Sequence, residues 1–247
     1  MSHRKAASNT AITDFVKVCA AGFLLKNEIE YFNKAMKDPE RPFVAIIGGA
    51  KVSDKIGVLE NLIEKVDILI VGGGMAFTFI RAMGFGTGSS LCETEMLDTA
   101  KNIMTKAAAK KVKLCLPLDC VVAEKAATDT EIKVCKISEI PNNWIGLDIG
   151  PQTISSFADA LKDVKTVIWN GPMGMFELEP FSRGTFSIAA SVAASGALSI
   201  IGGGDTGLAV ERAGVSEKIS YISTGGGAFL ELLEGKTMPA IEALEKN

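Results

Sequence analysis

The sequence predicts an α/β fold built on a doubly wound, mainly parallel sheet with helices on both of its faces. Three observations predict it. Short apolar runs recur along the chain, each followed by a glycine turn and then a helical pattern. Strands alternating with helices imply a parallel sheet covered on both faces. No low-complexity tract and no Pro/Ser-rich linker interrupts the series.

The elements follow in order. Residues 12–37 carry Phe15, Val18, Phe23, Leu24, Ile29 and Phe32 among polar positions, and the spacing predicts one long helix. Pro39 and Pro42 punctuate the chain before the strand "FVAII". Then come "GGAKVSDKI", the second unit "DILIVGGGMAFTF", the variant "TVIWNGPMGMFE", and finally "LSIIGGGDTGLAV" and "YISTGGGAFLELL". Between them "VKLCLPLDCVVA", "EIKVCKI" and "WIGLDIGP" read as further strands. From Gly184 to Gly204 lie 21 uncharged residues, long enough for a membrane span. Their Ser, Ala and Gly content, with Gly196 dividing them, instead predicts a helix, a turn and a buried strand. Right-handed crossovers put every strand-to-helix turn on one edge of a three-layer, Rossmann-like sheet. The glycine clusters, distant in sequence, thus converge on a single crevice at the carboxyl ends of the strands.

Composition narrows the partners. A formal net charge of -3 supplies no basic face for nucleic acid. The five cysteines are scattered with no C-x-x-C, which argues against a disulfide framework or a zinc site, and they read as packing. The start, "MSHRKAASNTAITD", lacks the apolar core of a signal peptide. A cytoplasmic monomer with no membrane association is expected. The single histidine is His3, so the body of the chain offers no histidine base.

Four motifs carry chemistry. Lys51 and Lys55 are four residues apart and extend the apolar stripe of Leu59, Leu62, Ile63 and Val66 toward the crevice, as one face of a helix would. They hold an anion there, or they are ordinary solvated lysines; spacing leaves both open. The segment is not a Walker A loop. "GGGDTG" matches G-x-G-x-x-G, but a dinucleotide site wants an acid about 20 residues on, and "YISTGGG" has none. Asp205 reads instead as a metal–phosphate ligand and Thr206 as a hydroxyl at a helix start, with helix capping as the alternative for either. "GGGMAFTF" lets a flat ligand approach the backbone, with Phe77 and Phe79 read as core. In "IWNGPMGMFE", Asn170 and Glu177 offer hydrogen bonds, for a ribose among others, or mark an ordinary turn.

Taken together, "RPFVAIIGGAKVSDKI", "GGGMAFTF", "GLDIGP", "WNGPMGMFE", "GGGDT" and "STGGGAFLELLEGK" occur in the order of the phosphoglycerate kinases. From about Ala20 onward the chain resembles the carboxyl-terminal, nucleotide-binding half of that family. "AAGFLLKNEIEYF" is similar to the helix joining the family's two halves. The resemblance implies phosphoryl transfer between ATP and the carboxylate of 3-phosphoglycerate, with Mg2+ accompanying ATP or ADP. It implies phosphate contacts for Lys51 and Lys55, and a terminal-phosphate loop at Gly203, Gly204, Asp205 and Thr206. Catalysis falls to Lys51, Gly203 and Gly204. Asp205 and Asp54 take the metal positions. Gly73, Gly74 and Gly146 match the adenosine pocket, and Asn170, Pro172 and Glu177 match nucleoside and phosphate contacts. In "SHRKAAS", Arg4 matches an arginine on the acid substrate, but Ala6 replaces a histidine of the pattern.

The implied organisation is a remnant of the inter-domain segment at 1–19 and a nucleotide-binding domain at 20–247, with the amino-terminal acid-substrate domain absent. 3-Phosphoglycerate is then a partner only if an amino-terminal half is supplied. A carboxylate acceptor is already ionised at neutral pH, so the missing histidine base is no obstacle. Two other readings compete: an adenine-nucleotide-binding module without catalysis, and an NAD-dependent dehydrogenase, which the missing acid after "GGGDTG" disfavours.

Overall fold

The computed structural model describes residues 2–246. Six strands form the main sheet: β1 (Phe43–Ile47), β2 (Ile68–Val71), β3 (Lys113–Cys115), β7 (Thr166–Asn170), β8 (Leu198–Gly202) and β9 (Tyr221–Ser223), in the order β3-β2-β1-β7-β8-β9. Every pairing in it is parallel, with Val44 opposite Ile68 on one side and Val167 on the other. The order runs outward in both directions from the β1–β7 pair. The carboxyl ends of those two strands are therefore the switch point where such sheets bind ligands.

Both faces are covered because β1 is apolar on both. Phe43, Ala45 and Ile47 face one core, and Val44 and Ile46 the other, all fully buried. Over the first face pack α1 (Phe23–Met36), α2 (Ile56–Ile63), α3 (Ala76–Ala82), α4 (Leu97–Ala109) and α8 (Gly227–Leu233). Over the second pack α5 (Pro151–Ala160), α6 (Arg183–Ser195) and α7 (Gly204–Arg212). A last helix, α9 (Pro239–Glu245), returns toward the amino-terminal segment, where Ala240 N–H donates to the Ser2 carbonyl. The uncharged stretch is the expected α6, a left-handed cap at Gly196 and buried β8. No helix among the described residues is long and apolar enough to cross a membrane.

Three local expectations change. The long helix over 12–37 is shorter: a 3-10 turn at Ala11–Asp14, an irregular stretch, then α1 from Phe23. Gly22 sits extended before it, and Phe15 and Val18 stand 83% and 85% exposed, so no surface draws that part of the stripe into a helix. Secondly, α2 begins only at Ile56, after a turn over Val52–Lys55; Lys51 and Lys55 do not share a helical face. Finally, "LDCVVA", "EIKVCKI" and "WIGLDIGP" form a separate antiparallel sheet of β4 (Asp119–Ala123), β5 (Ile132–Lys136) and β6 (Ile145–Ile149), ordered β5-β4-β6. It packs on α3 through Phe77, Ile80, Cys120, Val122 and Trp144.

Candidate active site

Three turns meet at the switch point and are bonded to one another through their backbones. Gly48 N–H donates to the Asn170 carbonyl (2.9 Å), Gly49 N–H to that of Pro172 (3.2 Å), and Gly73 N–H to that of Met173 (3.1 Å). Met75 N–H closes the ring on the Gly49 carbonyl (3.0 Å). So close an approach demands glycine at residue 171: its φ is +94°, and a Cβ there would lie 2.2 Å from the Gly48 carbonyl oxygen.

Under these turns opens a cavity of about 450 Å3, within the range of small-molecule sites. Gly73, Gly74 and Gly146 give it a backbone surface, while Phe77, Leu91, Leu147 and Met173 give it apolar walls. Pro172, Glu177 and Asp205 also line it. Gly146 is glycine because the tip of the Phe77 ring abuts it, where a Cβ would lie only 2.0 Å from Cζ. A wider depression of about 790 Å3 beside Glu179, Arg183 and Phe186 lacks any of the glycine turns.

Beyond the cavity the character turns cationic. Lys55 reaches across from the β1 turn, and its ammonium donates to Asn170 Oδ1. Asn170 is 2% exposed, and its amide nitrogen donates to the Gly202 carbonyl (2.7 Å), so both ends of the amide are engaged. Burial lowers the Lys55 pKa below the usual lysine value, while the carboxylates of Asp54, Glu234 and Asp205 work to raise it. Thr206 is buried, and its hydroxyl oxygen accepts from Gly171 N–H (2.7 Å), which ties the β8 turn to the β7 turn. Gly203 precedes α7 with φ +98°, leaving Gly204 and Asp205 exposed in that helix's first turn. The free N–H groups of such a turn suit an anion.

Most of the residues singled out from sequence are therefore brought together. Gly73, Gly74, Gly146, Pro172, Glu177 and Asp205 line the cavity. Lys55, Asn170, Gly203 and Thr206 form its polar extension. Lys51 and Asp54 are exposed on the β1 turn. Arg4 stands apart, exposed on the amino-terminal segment, where its carbonyl accepts from the Asn9 amide (3.0 Å). Phe79 is core, as read, but Phe77 also faces the cavity.

Several participants went unread. Leu91 and Met173 carry no local signal. Asp148 lines the cavity, 4% exposed; burial pushes its pKa up to about 7, against the bonds it accepts from Gly184 and Ile149 N–H. Glu93 holds the Lys51 turn (below) and sits in "CETE", where Glu95 is an equal choice by sequence.

The donor set bears on magnesium. Among the described residues there is no group of three or more metal-binding side chains. Mg2+ needs less from a protein: it keeps waters and takes one or two carboxylates plus substrate phosphates. Asp205 and Asp54 are both exposed, and both of their charges act on Lys55, a donor set that suits an ion held mainly by waters and other ligands and not a resident one.

The family model described as "Phosphoglycerate kinase" matches residues 1–236. The chain belongs to the phosphoglycerate kinase family. The family's name is that of a kinase. A phosphoglycerate kinase of Citrifermentans bemidjiense is 60% identical over 245 residues, 99% of this chain and 61% of that protein. One named as cytosolic, from Nicotiana tabacum, is 53% identical over 247 residues, 99% of this chain and 62% of its own. The solved phosphoglycerate kinase of Coxiella burnetii superimposes with a TM-score of 0.97 at 46% identity, covering all of this chain and 63% of that one. The chain thus spans about three-fifths of the length of these phosphoglycerate kinases.

Proposed function

We propose that the chain is the Mg-ATP/ADP-binding part of a phosphoglycerate kinase, acting as a cytoplasmic monomer on the donor side of phosphoryl transfer to 3-phosphoglycerate. The observation that carries the reading is the line from the apolar cavity to Lys55, held on Asn170 and Gly202 at the β1–β7 switch point. The adenosine part of a nucleotide fits the cavity, and the nucleotide's phosphates then lie toward Lys55 and the start of α7.

The roles follow from chemistry. Gly73, Gly74 and Gly146 admit the purine against backbone, and Glu177 and Pro172 border the ribose. Lys51 and Lys55 neutralise the phosphates, with Gly203 and Gly204 presenting N–H groups to the terminal ones. Asp205, with Asp54, would hold Mg2+, which neutralises charge on the phosphate oxygens when bound. Phosphoryl transfer rests on such positioning and neutralisation, and an ionised carboxylate acceptor needs no base. Thr206 and Asn170 act as internal braces, since their polar atoms are engaged with Gly171, Gly202 and Lys55.

On this reading residues 20–247 are the nucleotide domain, and Arg4 belongs to the acid-substrate side. The chain by itself binds Mg-ADP and forms little or no 1,3-bisphosphoglycerate. A coupled assay on the purified 247-residue chain tests this: turnover near that of a full-length phosphoglycerate kinase would overturn it. Adding a separately made amino-terminal half should restore turnover; a binding module without catalysis would stay silent.

A further inference from the structure

Lys51 precedes α2 by several residues, so no helix fixes its backbone. Its turn is held from elsewhere. Glu93 Oε2 accepts from Val52 N–H (2.6 Å) and Ser53 N–H (3.1 Å), and Oε1 accepts from the Ser53 hydroxyl (2.6 Å). Glu93 is anchored in turn, its own N–H donating to Thr78 Oγ1 (3.1 Å) on α3. Just upstream, Leu91 lines the cavity and Ser90 Oγ accepts from Gly146 N–H (2.8 Å). Residues 90–93 thus join the cavity floor, its apolar wall and the lysine turn.

We propose that Glu93 is a positioning residue for Lys51, setting the reach of that lysine to the nucleotide phosphates; this rests on the nucleotide reading above. Bonds to a carboxylate are the strong kind, and three of them on two consecutive residues, two from N–H groups and one from the Ser53 hydroxyl, leave the turn little freedom. The carboxylate also occupies the N–H groups of Val52 and Ser53, which would otherwise attract an anion themselves. On this turn the phosphates are then left to the Lys51 side chain. The Glu93 carboxyl is in keeping with this: burial works to raise its pKa but is outweighed by the Ser53 and Val52 bonds and the Lys51 charge, which lower it.

The pinning role and a mere charge effect predict opposite orders. In E93Q one amide oxygen still accepts both backbone N–H groups, so the turn stays while the charge goes. E93D keeps the charge but is shorter by a methylene. E93A loses both. Calorimetric titration of the full chain with Mg-ADP and with adenosine reads the difference. Adenosine has no phosphate and should bind all variants within about twofold. Mg-ADP should bind E93Q like the unsubstituted chain, E93D more weakly, and E93A roughly tenfold more weakly. Amide exchange at Val52 and Ser53 should quicken in the same order. Mg-ADP affinity that follows charge, with E93D above E93Q, or equal losses for adenosine and Mg-ADP, would overturn the role. If E93A does not fold, the E93Q–E93D order still decides. An unsubstituted chain that binds no Mg-ADP would overturn the nucleotide reading itself, and unchanged exchange at Val52 and Ser53 would then reject the Glu93 role separately.

Discussion

The two sheets contribute unlike halves of one crevice. The parallel sheet ends in turns that carry Lys51, Lys55 and Asp205, with free N–H groups at the start of α7. The antiparallel sheet, with α3 beneath it, brings apolar surface and a glycine floor: Phe77, Gly146 and Leu147. The cationic and the apolar parts of the crevice thus rest on different scaffolds, which are joined by the bond from Met175 N–H to the Leu147 carbonyl, by side-chain bonds such as that from Gly146 N–H to Ser90 Oγ, and by the packing of Phe77 on the antiparallel sheet. The separation means that one can be broken without the other, which substitutions can test.

The largest effect is expected at Lys55. K55A removes a half-buried cation and leaves Asn170 Oδ1 without its donor. Mg-ADP affinity should fall roughly a thousandfold, about 4 kcal/mol, as for loss of one member of a buried charged contact. Adenosine should be affected far less in the same titration. Comparable losses for both ligands would erase the division between the sheets.

Asp148 reports on the apolar side through pH. Its pKa is raised in the folded chain from 3.8 to about 7, so the folded state keeps a proton that the unfolded chain releases. The stability this gives is complete below the unfolded value and is lost as pH rises to the folded one. Unfolding free energy should therefore fall by on the order of 3 kcal/mol between about pH 4 and about pH 8 relative to D148N. Denaturant melts of both chains across that range check the sign; parallel profiles would place Asp148 in a more polar setting.

G146V forces a side chain into the Phe77 ring. It should lower adenosine and Mg-ADP affinity together and cost about 2 kcal/mol of stability, as overpacking does. Preferential loss of Mg-ADP would contradict the assignment of Gly146 to the shape side. Smallest is D205N, which should weaken ADP binding roughly tenfold with magnesium present and little in its absence. A loss independent of the metal would make Asp205 a helix-start residue alone.

The two sheets also differ in how legible they were. β1 is apolar at all five positions because both of its faces are covered, so its run could be read directly, as could the glycine turns that strain or contact requires. The antiparallel sheet resisted because β5 is largely exposed and because nothing within a strand encodes its direction or its sheet. Residues 12–22 misled for the opposite reason: their apolar residues, such as Phe15 and Val18, have helical spacing but no buried surface to meet. In the site, Lys55 and Asp205 were legible through their glycine neighbours. Glu93 and Asp148 act through partners 36 to 41 residues away, and only the folded path brings them there.

On the proposed function, one crevice holds an adenine nucleotide with its phosphates on the lysine side. Calorimetry of the unsubstituted chain against Mg-ADP, adenosine and NADH tests it most directly. One Mg-ADP should bind per chain, adenosine should bind more weakly at the same site and be displaced by Mg-ADP, and NADH should give no heat. Binding of NADH, or adenosine and Mg-ADP binding with equal affinity, would contradict it.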